Sequence, residues 1–245
     1  MGVKLFAALT TVTLIASGAN AADVVTVTDT TPVFEPASTY SFYLGLKGGA
    51  GPIIGDNDFT SAPTPFRVER IDGSIDYDTG YAIAVEAGIY LTPNWRAGVE
   101  LAYARMEPET LNQGVFAPFR DSLNGDIEAY NVFAETAYEF GPFGVFRPYV
   151  KAGVGAVHIS LDNVTSSTTF NGVADDSDTV FAGRIGAGAA IALSERFDLI
   201  AEYDFTYGQD AEFEFTFPTF PGTGTAPFEV EVAAHRVLAG IRARF

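Results

Sequence analysis

Read backwards in steps of two from Phe245, the chain places Ala243, Ile241, Ala239 and Val237 on one face. The intervening positions are Arg244, Arg242, Gly240, Leu238 and Arg236. A period of two marks a β-strand. Its polarity is inverted relative to a soluble sheet, because the apolar face suits hydrocarbon and the other face carries arginines. A transmembrane barrel, with lipid outside and a polar interior, requires this arrangement.

The same alternation predicts strands over 40–49, 79–91, 95–106, 127–140, 145–161, 180–193, 196–207 and 232–245. A tilted strand crosses a bilayer in about 9–11 residues, so each is long enough. The connections fall into two classes. Thr92-Pro93-Asn94, 141–144 and Ser194-Glu195 are tight, whereas 50–78, 107–126, 162–179 and 208–231 are long. Long and short alternate along the chain, which is the asymmetry of external loops and periplasmic turns. The fold expected is all-β: an eight-stranded antiparallel up-and-down transmembrane β-barrel with both termini on the periplasmic side.

Aromatic residues give an independent reading. On the outward parity, the short-turn ends carry Phe42, Trp95, Phe140, Phe146, Phe197 and Phe245. The long-loop ends carry Tyr81, Tyr103, Tyr130, Phe181, Phe205 and Tyr207. Aliphatic residues such as Val85, Val99, Leu101 and Leu199 lie between them. Two aromatic girdles around an aliphatic band match two membrane interfaces.

The inward parity collects charge. Its cations are Lys47, Arg96, Arg147, Lys151, Arg184, Arg236, Arg242 and Arg244; its anions are Glu86, Glu100, Glu135, Glu139, Asp198, Glu202 and Asp204. Charges in a confined interior are costly unless paired, so near balance predicts a salt-bridged plug. An eight-stranded barrel encloses only enough space for its own side chains. No wide pore is expected, and a narrow ion path is the functional alternative.

At the N-terminus, Lys4, the apolar stretch Leu5–Ala16 and the Ala19-Asn20-Ala21 pattern read as a secretory signal cleaved after Ala21. The domains expected are a signal peptide at 1–21, a flexible periplasmic segment at 22–39 and an outer-membrane barrel at 40–245. With no Cys among 245 residues, disulfide chemistry is excluded and most structural zinc sites with it. A net charge of −17 argues against nucleic acid as a partner.

The four long connections hold 19 Asp or Glu against three Arg. This charge serves solubility. The functional alternative is divalent-cation bridging to lipopolysaccharide phosphates through hard oxygen ligands. No segment matches a dedicated calcium loop, and no metal or other cofactor is expected. In the last long connection, Phe213, Phe215, Phe217 and Phe220 alternate with polar residues. The last two strands are therefore expected to continue as a protruding hairpin, its aromatic ridge packing on Phe59, Phe66, Phe116 and Phe119, with binding of a partner or host surface as the alternative. The apolar parity of Val230 and Val232 is opposite to that of Val237–Phe245, which predicts a bulge near Ala233-Ala234.

Catalytic candidates are few. His158 and Ser160 share the outward face near Glu128, the ingredients of an esterase. Their His-x-Ser spacing loosely resembles the outer-membrane lipid A deacylases, but over two residues only, a match that arises readily by chance; the pair is expected to be interfacial polar residues. His235 stands alone at the external rim. The G-x-G runs at 153–155 and 183–188 lie mid-strand with no following helix, which rejects nucleotide binding.

Taken together, the chain resembles the opacity- and OmpA-like eight-stranded outer-membrane barrels of proteobacteria. The residues that carry this are Ala19-Asn20-Ala21, the opening strand 40–51 (YSFYLGLKGGAG), the strand 146–155 (FRPYVKAGVG) and the closing Val237–Phe245. The resemblance implies that Val237, Ala239, Ile241, Ala243 and Phe245 form the assembly signal read by the barrel-assembly machinery. It further implies outer-membrane lipid and lipopolysaccharide as surroundings, and a structural envelope role with surface interactions. It transfers no catalytic residue. A narrow channel is the second reading, a lipid A-modifying enzyme the third and a soluble lipocalin-like barrel the fourth.

Overall fold

A computed structural model describes residues 42–53, 57–61, 71–113, 119–166, 172–219 and 222–245. The expected signal peptide and the 22–39 segment lie outside the described residues, as do Phe66, Phe116 and Phe220 and the side chains of Phe59 and Phe119. The strands are β1 (Phe42–Ile53), β2 (Asn57–Ser61), β3 (Ile71–Tyr77), β4 (Tyr81–Tyr90), β5 (Trp95–Met106), β6 (Pro108–Gln113) and β7 (Phe119–Glu139). They continue as β8 (Phe146–Ser166), β9 (Val173–Ala192), β10 (Phe197–Gly208), β11 (Ala211–Thr219), β12 (Gly222–Val230) and β13 (Ala233–Arg244).

Eight of these strands close an antiparallel barrel in the order β1-β4-β5-β7-β8-β9-β10-β13, and β13 returns to β1 through pairs such as Lys47↔Gly240. Among the described residues no helix is long and apolar enough to cross a membrane. The alternation of the strands is visible residue by residue: along β10, every second side chain from Asp198 to Thr206 is buried.

The long connections are not simple loops. β7 and β8 have 21 residues each and β9 has 20, roughly twice the span a bilayer needs. Their outer halves join β6, β3, β2, β12 and β11 in a second closed ring stacked on the first. The β11–β12 hairpin does continue β10 and β13, as the Phe alternation suggests, but it is a wall of this ring. Its Phe213 is buried and packs inward with Phe228, Met106, Ile127, Val157 and Leu161.

The expected bulge lies on the other arm. Between Tyr207↔Ala233 and Ala211↔Val230 the outgoing arm advances four residues and the returning arm three, so the extra residue falls within Gly208–Asp210. Accordingly Asp204 and Thr206 point inward at even positions, whereas Ala211 and Phe213 point inward at odd ones. On the returning arm Val232, Arg236 and Leu238 are all buried at even positions. Parity never changes there. What changes is the chemistry of the interior, from apolar above to charged below.

Candidate functional site

The interior is the most elaborated part of the molecule. The structure places all fifteen charged residues of the inward parity inside the wall, and thirteen of them, with Thr206, make up the fourteen buried polar residues among the described ones. The remaining two, Glu135 and Arg147, are half-buried. Small neighbours make the room: Ala82, Ala84, Ala102 and Ala104 share the inward face, and a Cβ at Gly45 would stand 2.6 Å from Glu86 Cγ.

Glu100 is the hub. Its Oε2 accepts from Lys47 at 2.5 Å and lies 3.4 Å from Lys151 Nζ. Its Oε1 accepts from Arg184 at 2.7 Å and Arg236 at 2.8 Å. Lys47 also reaches Glu86 at 3.1 Å and Glu202 at 2.5 Å. Lys151 reaches Glu202 at 3.0 Å, Asp204 at 3.1 Å and Glu135 at 3.3 Å. Nearer the short turns, Glu139 and Asp198 gather Arg242 at 2.9 and 3.3 Å, Arg244 lies 3.1 Å from Asp198, and Arg147 also pairs with Asp198. Arg96 lies 3.6 Å from Glu86 and 3.4 Å from Glu139, with its guanidinium between the rings of Tyr43 and Tyr149. This network crosses the lumen, since it joins residues of all eight barrel strands.

Among the described residues, two carboxylate clusters come close enough to hold a cation: Glu86 with Glu100 and Glu135, and Glu100 with Glu202 and Asp204. Lysine ammonium and arginine guanidinium groups already occupy the positions an ion would take. These residues therefore form an ion-pair lattice, which a metal would have to break.

An apolar layer lies above the charge. Phe133, Val157, Leu161, Ala174, Val180, Ala182, Ala211, Phe213 and Val232 fill the interior toward the long connections. At the boundary the Arg184 guanidinium lies against the Phe133 ring. The sequence reading missed this layer, although Phe133, Val157 and Val180 share parity with Glu135, Lys151 and Arg184. Sorting inward residues by depth would have exposed it.

Outside, the twelve girdle residues face away from the lumen. Phe42, Tyr81, Trp95, Tyr130, Phe140, Phe146, Phe181, Phe197, Tyr207 and Phe245 are exposed, and Tyr103 and Phe205 are half-buried. Tyr81, Tyr103 and Tyr130 run side by side across β4, β5 and β7. In the closing strand Val237, Ala239, Ile241 and Phe245 are exposed and Ala243 half-buried.

The esterase candidates meet on this surface without forming a relay. Ser160 is the cross-strand partner of Glu128, but the Glu128 carboxylate accepts from Tyr103 and Tyr130 at 3.0 and 3.1 Å. His158 Nδ1 is 2.8 Å from Thr179 Oγ1. His235 stacks on Tyr203, whose hydroxyl is 2.6 Å from Nδ1.

A family model described as the outer membrane protein beta-barrel domain matches residues 10–223. None of the curated proteins matches the sequence. Among solved structures, the chain is similar to the outer membrane protein OprG from Pseudomonas aeruginosa, at 13% identity and a TM-score of 0.54, with 84% of this chain and 96% of that one covered. It is also similar to the outer membrane protease OmpT from Escherichia coli, at 8% identity and a TM-score of 0.53, covering 84% and 97%. A major outer membrane protein from Thermus thermophilus matches at 15% identity and a TM-score of 0.52, covering 84% and 100%. At these identities the likeness is one of fold.

Proposed function

Because the chain belongs to the outer membrane protein beta-barrel domain family, and is thereby an outer-membrane protein, we propose that it serves the envelope as a closed, non-enzymatic barrel presenting an acidic β-structured head outward. The filled lumen carries this reading. An ion-pair lattice occupies the membrane level and an apolar plug sits on it. Water and ions would have to displace both to pass.

The lipid partner in this reading is lipopolysaccharide. Exposed carboxylates of the head, including Asp175, Glu212 and Glu214, would reach its phosphates through divalent cations, for which they are suitable hard ligands. Folding at the membrane is assigned to the barrel-assembly machinery, with the closing strand as its signal. One solved protein of similar fold is a protease, so the fold itself does not exclude catalysis. The engagement of Glu128 with two tyrosines and of His158 with Thr179 is what speaks against it here.

Two assays on purified, folded protein test the proposal. In planar bilayers it predicts no openings above background; steady unitary steps would replace it with a narrow channel. Incubated with lipopolysaccharide, the protein should leave lipid A chemically unchanged. Deacylation that Ser160→Ala abolishes would establish an enzyme instead.

A further inference from the structure

The outward wall of the barrel is not smooth. A trough of about 530 Å³ opens on it across β4, β5 and β7, just beneath the girdle at the long-connection end. Cross-strand pairing resolves its sides into two rows. The lower row runs Leu46, Val85, Leu101, Val132 and Ala156. The upper row runs Tyr103, Tyr130, His158 and Thr179. The lower row shrinks to a methyl group at Ala156, which leaves that end unfilled beneath the His158 ring.

The upper side is an aromatic wall held in place. The Tyr103 and Tyr130 rings lie 5.2 Å apart, and the Tyr130 and His158 rings 6.4 Å. Glu128 accepts both tyrosine hydroxyls, and His158 Nδ1 is 2.8 Å from Thr179 Oγ1. The trough also has a direction. Extended by one more pair, its lower row passes from Ala156 to Phe181 of the long-connection girdle. Its other end, at Leu46 and Val85, lies in the aliphatic band between the girdles. The trough therefore climbs from mid-membrane to the interface as it crosses from β1 to β9. Polarity follows the same slope, aliphatic at the deep end and His158 with Thr179 at the shallow one.

We infer that this trough is a binding site for one acyl chain of lipopolysaccharide, with the sugar-proximal end of the chain at His158 and Thr179. A slope from interface to mid-membrane, polar above and aliphatic below, is that of a lipid standing in a leaflet. The trough is continuous with the lipid-facing band on every side. The choice of lipid rests on the reading of the head as external, which puts the polar end in the outer leaflet. Hydrocarbon competes there with hydrocarbon, so burial alone gives no preference. Shape does: a chain in the trough touches its floor and both walls, whereas one against a convex stretch of barrel touches it on one side only. The aromatic wall is fixed beforehand, so little is lost in ordering it. The site requires no divalent cation and is separate from the carboxylates of the head.

The test is native mass spectrometry of the folded protein released from detergent, with a chelator present throughout. The probes are rough lipopolysaccharide, its fully deacylated form and phosphatidylethanolamine. The barrel should retain a single lipopolysaccharide and neither of the other two. Ala156→Phe fills the trough and should lower retention roughly fivefold. Ala201→Phe, the same change at an exposed outward alanine of β10, should leave it unchanged. The unaltered protein gives a second readout in deuterated detergent: acyl protons should show nuclear Overhauser contacts to the methyl groups of Leu101, Val132 and Ala156, and none to Leu199 on β10. Equal retention of the phospholipid or of the deacylated form, full retention by folded Ala156→Phe, contacts at Leu199 as strong as at Ala156, or a dimer that Ala156→Phe splits would each overturn the inference. The cation bridge proposed for the head is untouched by these outcomes, because the chelator removes it from the measurement.

Discussion

The Arg184 guanidinium carbon lies 3.7 Å from the centroid of the Phe133 ring. This contact is where the two halves of the interior meet. On one side Arg184 donates to Glu100 and Glu135; on the other Phe133, fully buried, belongs to the apolar plug. The arginine turns a flat, weakly hydrated face to the ring and its edge to carboxylates, so neither layer ends on an unsatisfied surface.

Phe133→Ala should therefore damage both layers. Truncating a buried Phe costs about 3–5 kcal/mol, and Arg184 loses its cover. The expected result is a lower midpoint for the heat-induced mobility shift in SDS, with Phe133→Leu intermediate. A Phe133→Ala protein as heat-resistant as the parent would show that the plug does not support the barrel.

Glu100→Gln removes one charge from beneath four cations. Breaking a buried pair typically costs about 3–5 kcal/mol, because the partner charges stay buried. Urea unfolding in detergent should show the midpoint fall clearly. Glu109→Gln, exposed on β6, should leave it unchanged.

On the lipid face, Val99 stands midway between Trp95 and Tyr103 on β5 and is 48% exposed. In a soluble protein Val99→Arg would be harmless. At the midplane of a bilayer it should cost about 2–4 kcal/mol, read as a loss of folded protein in lipid vesicles. Arginine introduced at Asp210, exposed in the head, should have little effect.

The head has its own weak seam. Between Gln209, whose N–H donates to the Phe181 carbonyl, and Thr216, β11 is tied to β9 through side chains: the Glu212 N–H donates to Asp178 and the Glu214 N–H to Asp176, both at 2.9 Å. Replacing both aspartates with Ala removes these anchors, each worth about 1.5–3 kcal/mol as a bond to a charged group. Hydrogen exchange at the amides of Glu212 and Glu214 should accelerate while β10 and β13 keep their protection. Uniform protection in the variant would mean that the ring is held by other contacts.

The membrane half of this architecture could be read from alternation alone, because lipid and lumen impose opposite chemistry on successive residues. Arg236, Arg242 and Arg244 betray the inversion at once. The outer ring was harder to read. Its strands at 119–126 and 173–179 mix Ser, Asp and Thr on both faces, since water bathes their outer side and backbone pairing holds them without a hydrophobic stripe. The bulge was misplaced for a related reason. Val230 and Val232 look out of phase with Val237 only if one chemistry fills the whole lumen, and it does not.

Access to the interior tests the central claim of a plugged lumen most directly. The chain has no cysteine, so single cysteines can be placed at inward-facing Ala102 and Ala182, which are both buried, and at exposed Asp210. Intact cells are then treated with a small charged thiol reagent. Asp210→Cys should be modified, while Ala102→Cys and Ala182→Cys, folded by the mobility-shift criterion, should stay unmodified until the barrel is denatured. Rapid modification of the two lumen positions in folded protein would contradict it and point to a water-filled path.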